Sequence, residues 1–146
     1  MFLCEFDRPT PILYNNAEVT DAGLDELAAL AREQFCYLTT TGRKTGQRHT
    51  IEIWFAVEPG GRTLYMLSGG RDRSDWVQNI RRDPEVRVRI GGRRFEGRGR
   101  IVQEPDEDRT ARRLVVRKYY GRERVASSGW EAESLPMAVD LRVLRI

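Results

Sequence analysis

Residues 86–101 constrain the fold more than any other stretch of the chain. Val86, Val88 and Ile90 alternate with Arg87 and Arg89. Gly91-Gly92 then turns the chain, and Phe95, Gly97, Gly99 and Ile101 alternate with Arg94, Glu96, Arg98 and Arg100. Period-two patterning on both sides of a Gly-Gly pair predicts an antiparallel hairpin with one buried and one charged face. A helix would need its apolar residues at about 3.6-residue spacing, which this stretch does not offer.

The rest of the chain extends that hairpin. Phe35 to Thr41 is aromatic and Thr-rich and reads as a strand. Arg48 to Val57 reads as one continuous strand, with Ile51, Ile53 and Phe55 set against Glu52 and Trp54. Pro59-Gly60-Gly61 is a turn, Thr63 to Ser68 a third strand, and Met137 to Ile146 a final one. Helices are predicted over 21–33, 74–82 and 106–120. The first is capped by Thr20 or Asp21 and carries Leu24, Leu27, Ala28 and Ala31 at helical spacing. Ser74 is placed to cap the second, and Asp83-Pro84 stops it. The third has Asp106, Glu107 and Asp108 at its start, Arg117-Lys118 at its end and Gly121 as its stop. Strands and helices do not alternate regularly, which argues against a doubly wound parallel sheet. The expected architecture is a mainly β, α+β fold: a small barrel of about six antiparallel strands with peripheral helices.

At 146 residues the chain has the length of one domain, spanning 1–146, with an N-terminal helical extension over about 1–34. No apolar run is long enough for a membrane span. The first residues carry two acids and no basic region, unlike a secretory signal. Two cysteines, Cys4 and Cys36, cannot form a disulfide framework, so a cytoplasmic location with free thiols is expected. A single histidine, His49, leaves too few ligands for a structural zinc site, and no metal is expected. The same scarcity, with no G-x-S-x-G elbow, argues against a Ser-His-Asp hydrolase. His49 is read as a strand residue that could make a polar contact to a ligand.

Charge is unevenly placed. Residues 1–34 carry net −5, residues 35–103 net +7 and residues 104–146 net +1. An anionic partner is therefore expected in the middle of the chain. Of the 25 basic residues 23 are Arg, so Lys44 and Lys118 stand apart. Nucleic-acid binding through the Arg-rich hairpin is disfavoured. Single-strand binders interleave aromatic platforms with their cations, and Phe95, the one aromatic in that hairpin, has inward parity.

Two motifs carry chemistry. In Thr41-Gly42-Arg43-Lys44-Thr45-Gly46, two glycines let the backbone turn its N–H groups towards a ligand. Arg43 and Lys44 add charge and Thr45 a hydroxyl, which favours an anion, phosphate above all. The plainer alternative is a polar hairpin turn. The second motif runs from Ser68-Gly69-Gly70 to Asp75-Trp76-Val77-Gln78-Asn79. Its glycines permit close approach of a flat ring or a phosphate, and the following helix start adds N–H donors. Asp75 suits that helix start. Trp76 and Asn79 share a helix face, and for Trp76 alone plain packing is the favoured reading.

Residues 41–47, 68–70, 75–80 and 83–88, in this order, resemble the deazaflavin-dependent nitroreductase family, the flavin/deazaflavin oxidoreductase group with a split β-barrel fold. The resemblance covers roughly residues 35–103. It implies a site for coenzyme F420, a deazaflavin with a phosphate and an acidic oligoglutamyl tail, and FMN is the alternative cofactor. On that match Arg43, Lys44, Thr45 and Gly46 hold phosphate. Ser68, Gly69 and Gly70 line the ring or ribityl chain, and Trp76 and Asn79 border the pocket; Asp75 and His49 are taken as further cofactor contacts. Trp54, Tyr119 and Tyr120 are assigned to the acceptor side. His49-Thr50-Ile51-Glu52 stands where family nitroreductases often carry Arg-x-Asn-Pro. The implied activity is hydride transfer to a quinone, enone or nitroaromatic. A non-enzymatic cofactor or lipid carrier is the competing class. The resemblance also allows a homodimer.

Overall fold

The computed structural model describes residues 21–142. Thr20 and the Asp21 side chain as caps, Cys4, residues 143–146 of the last strand and most of the N-terminal extension lie outside the described residues. The elements are α1 (Asp21–Leu30), β1 (Cys36–Thr41), β2 (Arg48–Ile53), β3 (Ala56–Val57), β4 (Thr63–Ser68), α2 (Asp75–Arg82), β5 (Glu85–Ile90), β6 (Arg93–Ile101), α3 (Pro105–Tyr120), α4 (Trp130–Glu133) and β7 (Leu135–Arg142). A 3-10 turn at Arg71–Arg73 precedes α2. The strands form one sheet in the order β2-β1-β5-β6-β7-β4-β3, with every pair antiparallel.

The 86–101 hairpin forms as its pattern requires. Val88 pairs with Phe95 across the strands, and Gly91 and Gly92 both adopt positive φ, 55° and 88°, matching the twist of a two-residue hairpin turn. Gly97 and Gly99 continue the inner face beside buried Phe95. A Cβ on Gly99 would stand 2.9 Å from Ile80 Cδ1, so glycine is what lets α2 lie against the sheet.

Seven strands form, one more than expected, because Arg48–Val57 is not one strand. β2 pairs with β1 at one edge of the sheet, whereas β3 pairs with β4 at the other. The chain passes between the two edges at Trp54-Phe55, and the ladder is interrupted there. Side chains of α3 take over its hydrogen bonds. The Phe55 N–H donates to Tyr119 Oη at 3.0 Å, and the Phe55 carbonyl accepts from Lys118 Nζ at 2.8 Å. Phe55 itself is fully buried, so apolar alternation runs through the corner and conceals the change of partner.

Other boundaries shift less. α1 stops at Leu30 instead of 33, with tight turns closed by Ala31 N–H on Ala28 O and Glu33 N–H on Leu30 O. β7 begins at Leu135, after the short α4 that the sequence reading missed. Ser74 occupies the N-cap position of α2, but its hydroxyl makes no cap hydrogen bond. Glu104 is the residue that caps α3, accepting from the Glu107 N–H at 2.8 Å. Gly121 ends that helix at φ 68°.

Two apolar clusters hold the fold. The larger lies inside the sheet's curl and contains Leu38, Phe55, Leu64, Met66, Val88, Phe95, Met137 and Val139. The smaller packs α3 on the opposite face, through Tyr65, Leu67, Ala111, Leu114, Val115 and Ala138. β4 is buried along its whole length because it is covered on both sides. Arg100 locks α3 to the sheet. Its guanidinium donates to Glu107 at 2.8 Å and to Asp140 Oδ2 at 2.7 Å, while Tyr65 Oη donates to Glu107 and Thr63 to Asp140.

Candidate functional site

The Gly42–Gly46 turn joins β1 to β2. The Gly42 N–H donates to Gln47 O at 2.6 Å and the Gly46 N–H to Gly42 O at 2.8 Å. Asn79 of α2, 3% exposed, braces the turn from behind. Its Oδ1 accepts from the Arg43 N–H at 3.1 Å and from Arg43 Nη1 at 3.0 Å, and its Nδ2 donates to Thr40 Oγ1 at 3.0 Å. Arg43 also pairs with Asp75 at 3.1 Å. Much of the donor capacity of Arg43 is therefore spent inside the protein. Lys44, Thr45 and Gly46 are exposed, and Lys44 has no hydrogen bond or ion pair among the described residues. His49 is exposed on β2, with Nε2 2.7 Å from the Cβ position of Gly42.

The second motif is contiguous with the first through α2. Ser68 is buried, and its hydroxyl is shared between Arg71 O and Ser74 Oγ, both at 2.9 Å. That bond steadies Arg71, the one non-glycine residue with positive φ (55°) among the described residues. Gly69 and Gly70 are exposed, so this loop offers bare backbone. Trp76 is half-buried against the main core, which is the packing role favoured for it.

The aromatic residues assigned to the acceptor meet at the barrel corner. Trp54 stacks on Tyr119 with ring centroids 4.1 Å apart and planes within 2°. Tyr120 stands edge-on to Trp54 at 6.1 Å. Trp130 of α4, which sequence reasoning missed, meets Trp54 at 6.0 Å and 89°. Trp130 Nε1 also lies 3.1 Å from the Cβ position of Gly69. The glycine loop and the aromatic corner are thus neighbours. A conserved spacing could not have found Trp130 in one sequence, and its flanks, Ser127-Ser128-Gly129, read as loop.

Lys118 organises the corner. Its ammonium donates to Glu33 O and Phe55 O, both at 2.8 Å, and lies 3.7 Å above the Phe55 ring. Burial lowers its pKa to about 8. The Tyr119 hydroxyl accepts from Phe55 N–H and is 2.8 Å from Gln34 O and 3.0 Å from Phe55 O. Burial raises its pKa to about 12, so it stays neutral. Burial likewise pushes the Cys36 thiol up to about 12.

Several of the arginines are held in ion pairs. Arg98 and Arg142 share Glu85, Arg112 pairs with Asp108, Arg117 with Glu123 and Arg122 with Glu131. Among the described residues no helix is long and apolar enough to cross a membrane.

Comparison with known proteins places the chain in a family and its fold among solved structures. A stretch of 72 residues is 33% identical to the F420H(2)-dependent quinone reductase of Mycobacterium tuberculosis H37Rv, covering 49% of this chain and 48% of that one. The chain spans about half the length of the curated relatives it matches. A conserved hypothetical protein of M. tuberculosis shares the fold with a TM-score of 0.64, at 22% identity over 92% of this chain and 87% of that one. A solved F420 reductase does so with a TM-score of 0.56, at 21% identity over 80% and 92%. The curled antiparallel sheet is thus the split β-barrel of flavin and deazaflavin proteins. The family model of the F420H(2)-dependent quinone reductases matches residues 15–141, and this chain belongs to that family.

Proposed function

We propose that the protein is an oxidoreductase that binds reduced coenzyme F420 and delivers hydride to a quinone. One observation carries the reading. A series of neighbours runs from the basic turn to the aromatic corner: Arg43 pairs with Asp75, Ser74 bonds Ser68, a Cβ on Gly69 would meet Trp130, and Trp130 stands edge-on to Trp54. A phosphate-bearing flat cofactor needs a cation at one end and bare backbone beside an aromatic wall at the other, and this series supplies both.

The residues fit the group. Lys44 is a cation with no partner among the described residues, and Thr45 and the turn's backbone flank it. Arg43 would hold the turn in shape through Asn79 and Asp75 and contribute charge from behind. Gly69 and Gly70 would admit the ring, with Ser68 fixing the loop from inside. When bound, the cofactor supplies the hydride, so the protein needs no nucleophile or triad. The chain's own part is positioning and exclusion of water. Trp54 and Tyr119 present a flat apolar face to an aromatic acceptor, the arrangement that favours a quinone over a flexible substrate.

The test is a titration of purified protein with F420, followed by quenching of tryptophan fluorescence. Saturable binding, and turnover of a quinone by the complex at the expense of F420H2 absorbance, are expected. Absence of binding, or a protein that purifies yellow with tightly held FMN, overturns the reading.

A further inference from the structure

Resting on that reading, we propose that Trp130 belongs to the acceptor site, its indole N–H donating a hydrogen bond to the quinone oxygen on which charge develops. Trp130 is 38% exposed as a residue, and its indole stands between the Gly69 loop and the Trp54 ring. Its Nε1–H has no hydrogen-bond partner among the described residues, although an indole nitrogen is a donor only. The nearest alternative, the Tyr119 hydroxyl, is committed to backbone groups of Phe55 and Gln34, so that residue offers its ring.

The indole is also held in place with unusual care for so short an element. α4 has four residues, too few to be stable alone. Arg112 donates to Glu131 O at 2.8 Å, Arg71 donates to Glu133 O, and Arg122 pairs with the Glu131 carboxylate. Glu131 Oε1 further accepts the Ala126 N–H at 2.8 Å. The Ser134 hydroxyl donates to Trp130 O. The ties come from α3, from the loop after it, and from the glycine loop itself. They fix the indole relative to both halves of the site.

The chemistry balances without a protein acid. Reduced deazaflavin gives up one hydride and one proton as it is oxidised. The hydride adds to one quinone oxygen as its C=O π bond breaks, the ring becomes aromatic, and the displaced electron pair comes to rest on the second oxygen. That oxyanion is held by the Trp130 N–H, which keeps its own proton, and a solvent proton completes the hydroquinone. A fixed donor aimed at a developing oxyanion acts on the rate more than on ground-state binding.

Trp130→Phe keeps a ring and deletes the donor. In single-turnover reduction of a short-chain benzoquinone by the F420H2-loaded protein, the rate is expected to fall about tenfold or more, with F420 affinity and quinone KM changed less than about threefold. Trp130→Tyr restores a donor and is expected to recover part of the rate. In the cofactor-free protein, the Trp130 indole N–H proton resonance, identified by its absence in Trp130→Phe, is expected to move downfield when the oxidised quinone is added. A Trp130→Phe rate equal to wild type, a rate loss in Tyr120→Phe instead, or an unmoved indole resonance overturns the inference. If the wild-type protein fails to bind F420, the functional reading falls with it. If binding holds and Trp130→Phe is silent, only the role of Trp130 falls.

Discussion

The chain's two lysines stand in the two regions of the candidate site and live under opposite conditions. Lys44 is on the surface of a polar turn with no partner among the described residues. Lys118 is half-buried, held by two carbonyls and lying over an aromatic ring. The difference shows how one residue type does two jobs. A solvated ammonium can exchange water for a ligand phosphate. An ammonium that gives two of its three donors to backbone carbonyls and lies over an aromatic ring serves as a structural bracket at the break in the ladder. On the proposed function, the turn is the region that would bind the phosphate, and the corner the region that would hold a shape for the acceptor.

That contrast can be broken most directly by Lys118→Met. Loss of two charge-assisted hydrogen bonds at the corner is expected to cost about 3 kcal/mol of unfolding free energy, measured by urea denaturation. F420 affinity of the folded variant should change less than about threefold. A variant as stable as wild type would remove the bracket from the account. Lys44→Ala is the mirror experiment. It is expected to weaken F420 about 30-fold, or about 2 kcal/mol, with the melting temperature unmoved. Unaltered affinity would show that the turn does not hold the phosphate.

Asn79→Ala sharpens the comparison, because Asn79 is structural in position and functional in consequence. Its removal leaves the Arg43 N–H and Thr40 hydroxyl without their partner. A loss of about 1–2 kcal/mol in stability is expected, together with a several-fold rise in F420 Kd as the turn loosens. A stability loss with wild-type affinity would show that the turn keeps its shape unaided.

The smallest effect is in pH. Folding lowers the pKa of Lys118 from 10.5 to about 8, chiefly by burial. Above pH about 8 the unfolded chain therefore binds the extra proton, and stability rises with pH. Folding raises Cys36 from 9.0 to about 12, again chiefly by burial. Once the unfolded thiol ionises, the native state binds more protons and stability falls. Denaturation midpoints should climb modestly from pH about 8, level off between about 9 and 10.5 where the two effects oppose, and fall above that. Lys118→Met should abolish the climb, and Cys36→Ala should blunt the decline.

Much of this was legible along the chain. The hairpin at 86–101, β4 and the α3 helix stop at Gly121 formed where local pattern and turn chemistry put them, since each depends on neighbours in sequence. The basic turn was legible for the same reason. The break at Trp54-Phe55 was not, because both halves keep the same apolar alternation while pairing with opposite edges of the sheet. The use of Arg43 as an internal brace was also hidden, since its partners stand 32 and 36 residues away.

The sequence by itself determined most of the strand positions, the antiparallel class, the exposed basic turn and the family resemblance, all of which are properties of short windows. Tertiary structure alone decided which donors of those motifs stay free and which are consumed. It also assembled the corner from Trp54, Lys118, Tyr119 and Trp130, residues from separate segments. The physical reason is closure. A sheet that curls until its two edges are bridged by one chain must satisfy the bridging backbone with side chains from elsewhere, and only the folded chain brings those side chains within reach.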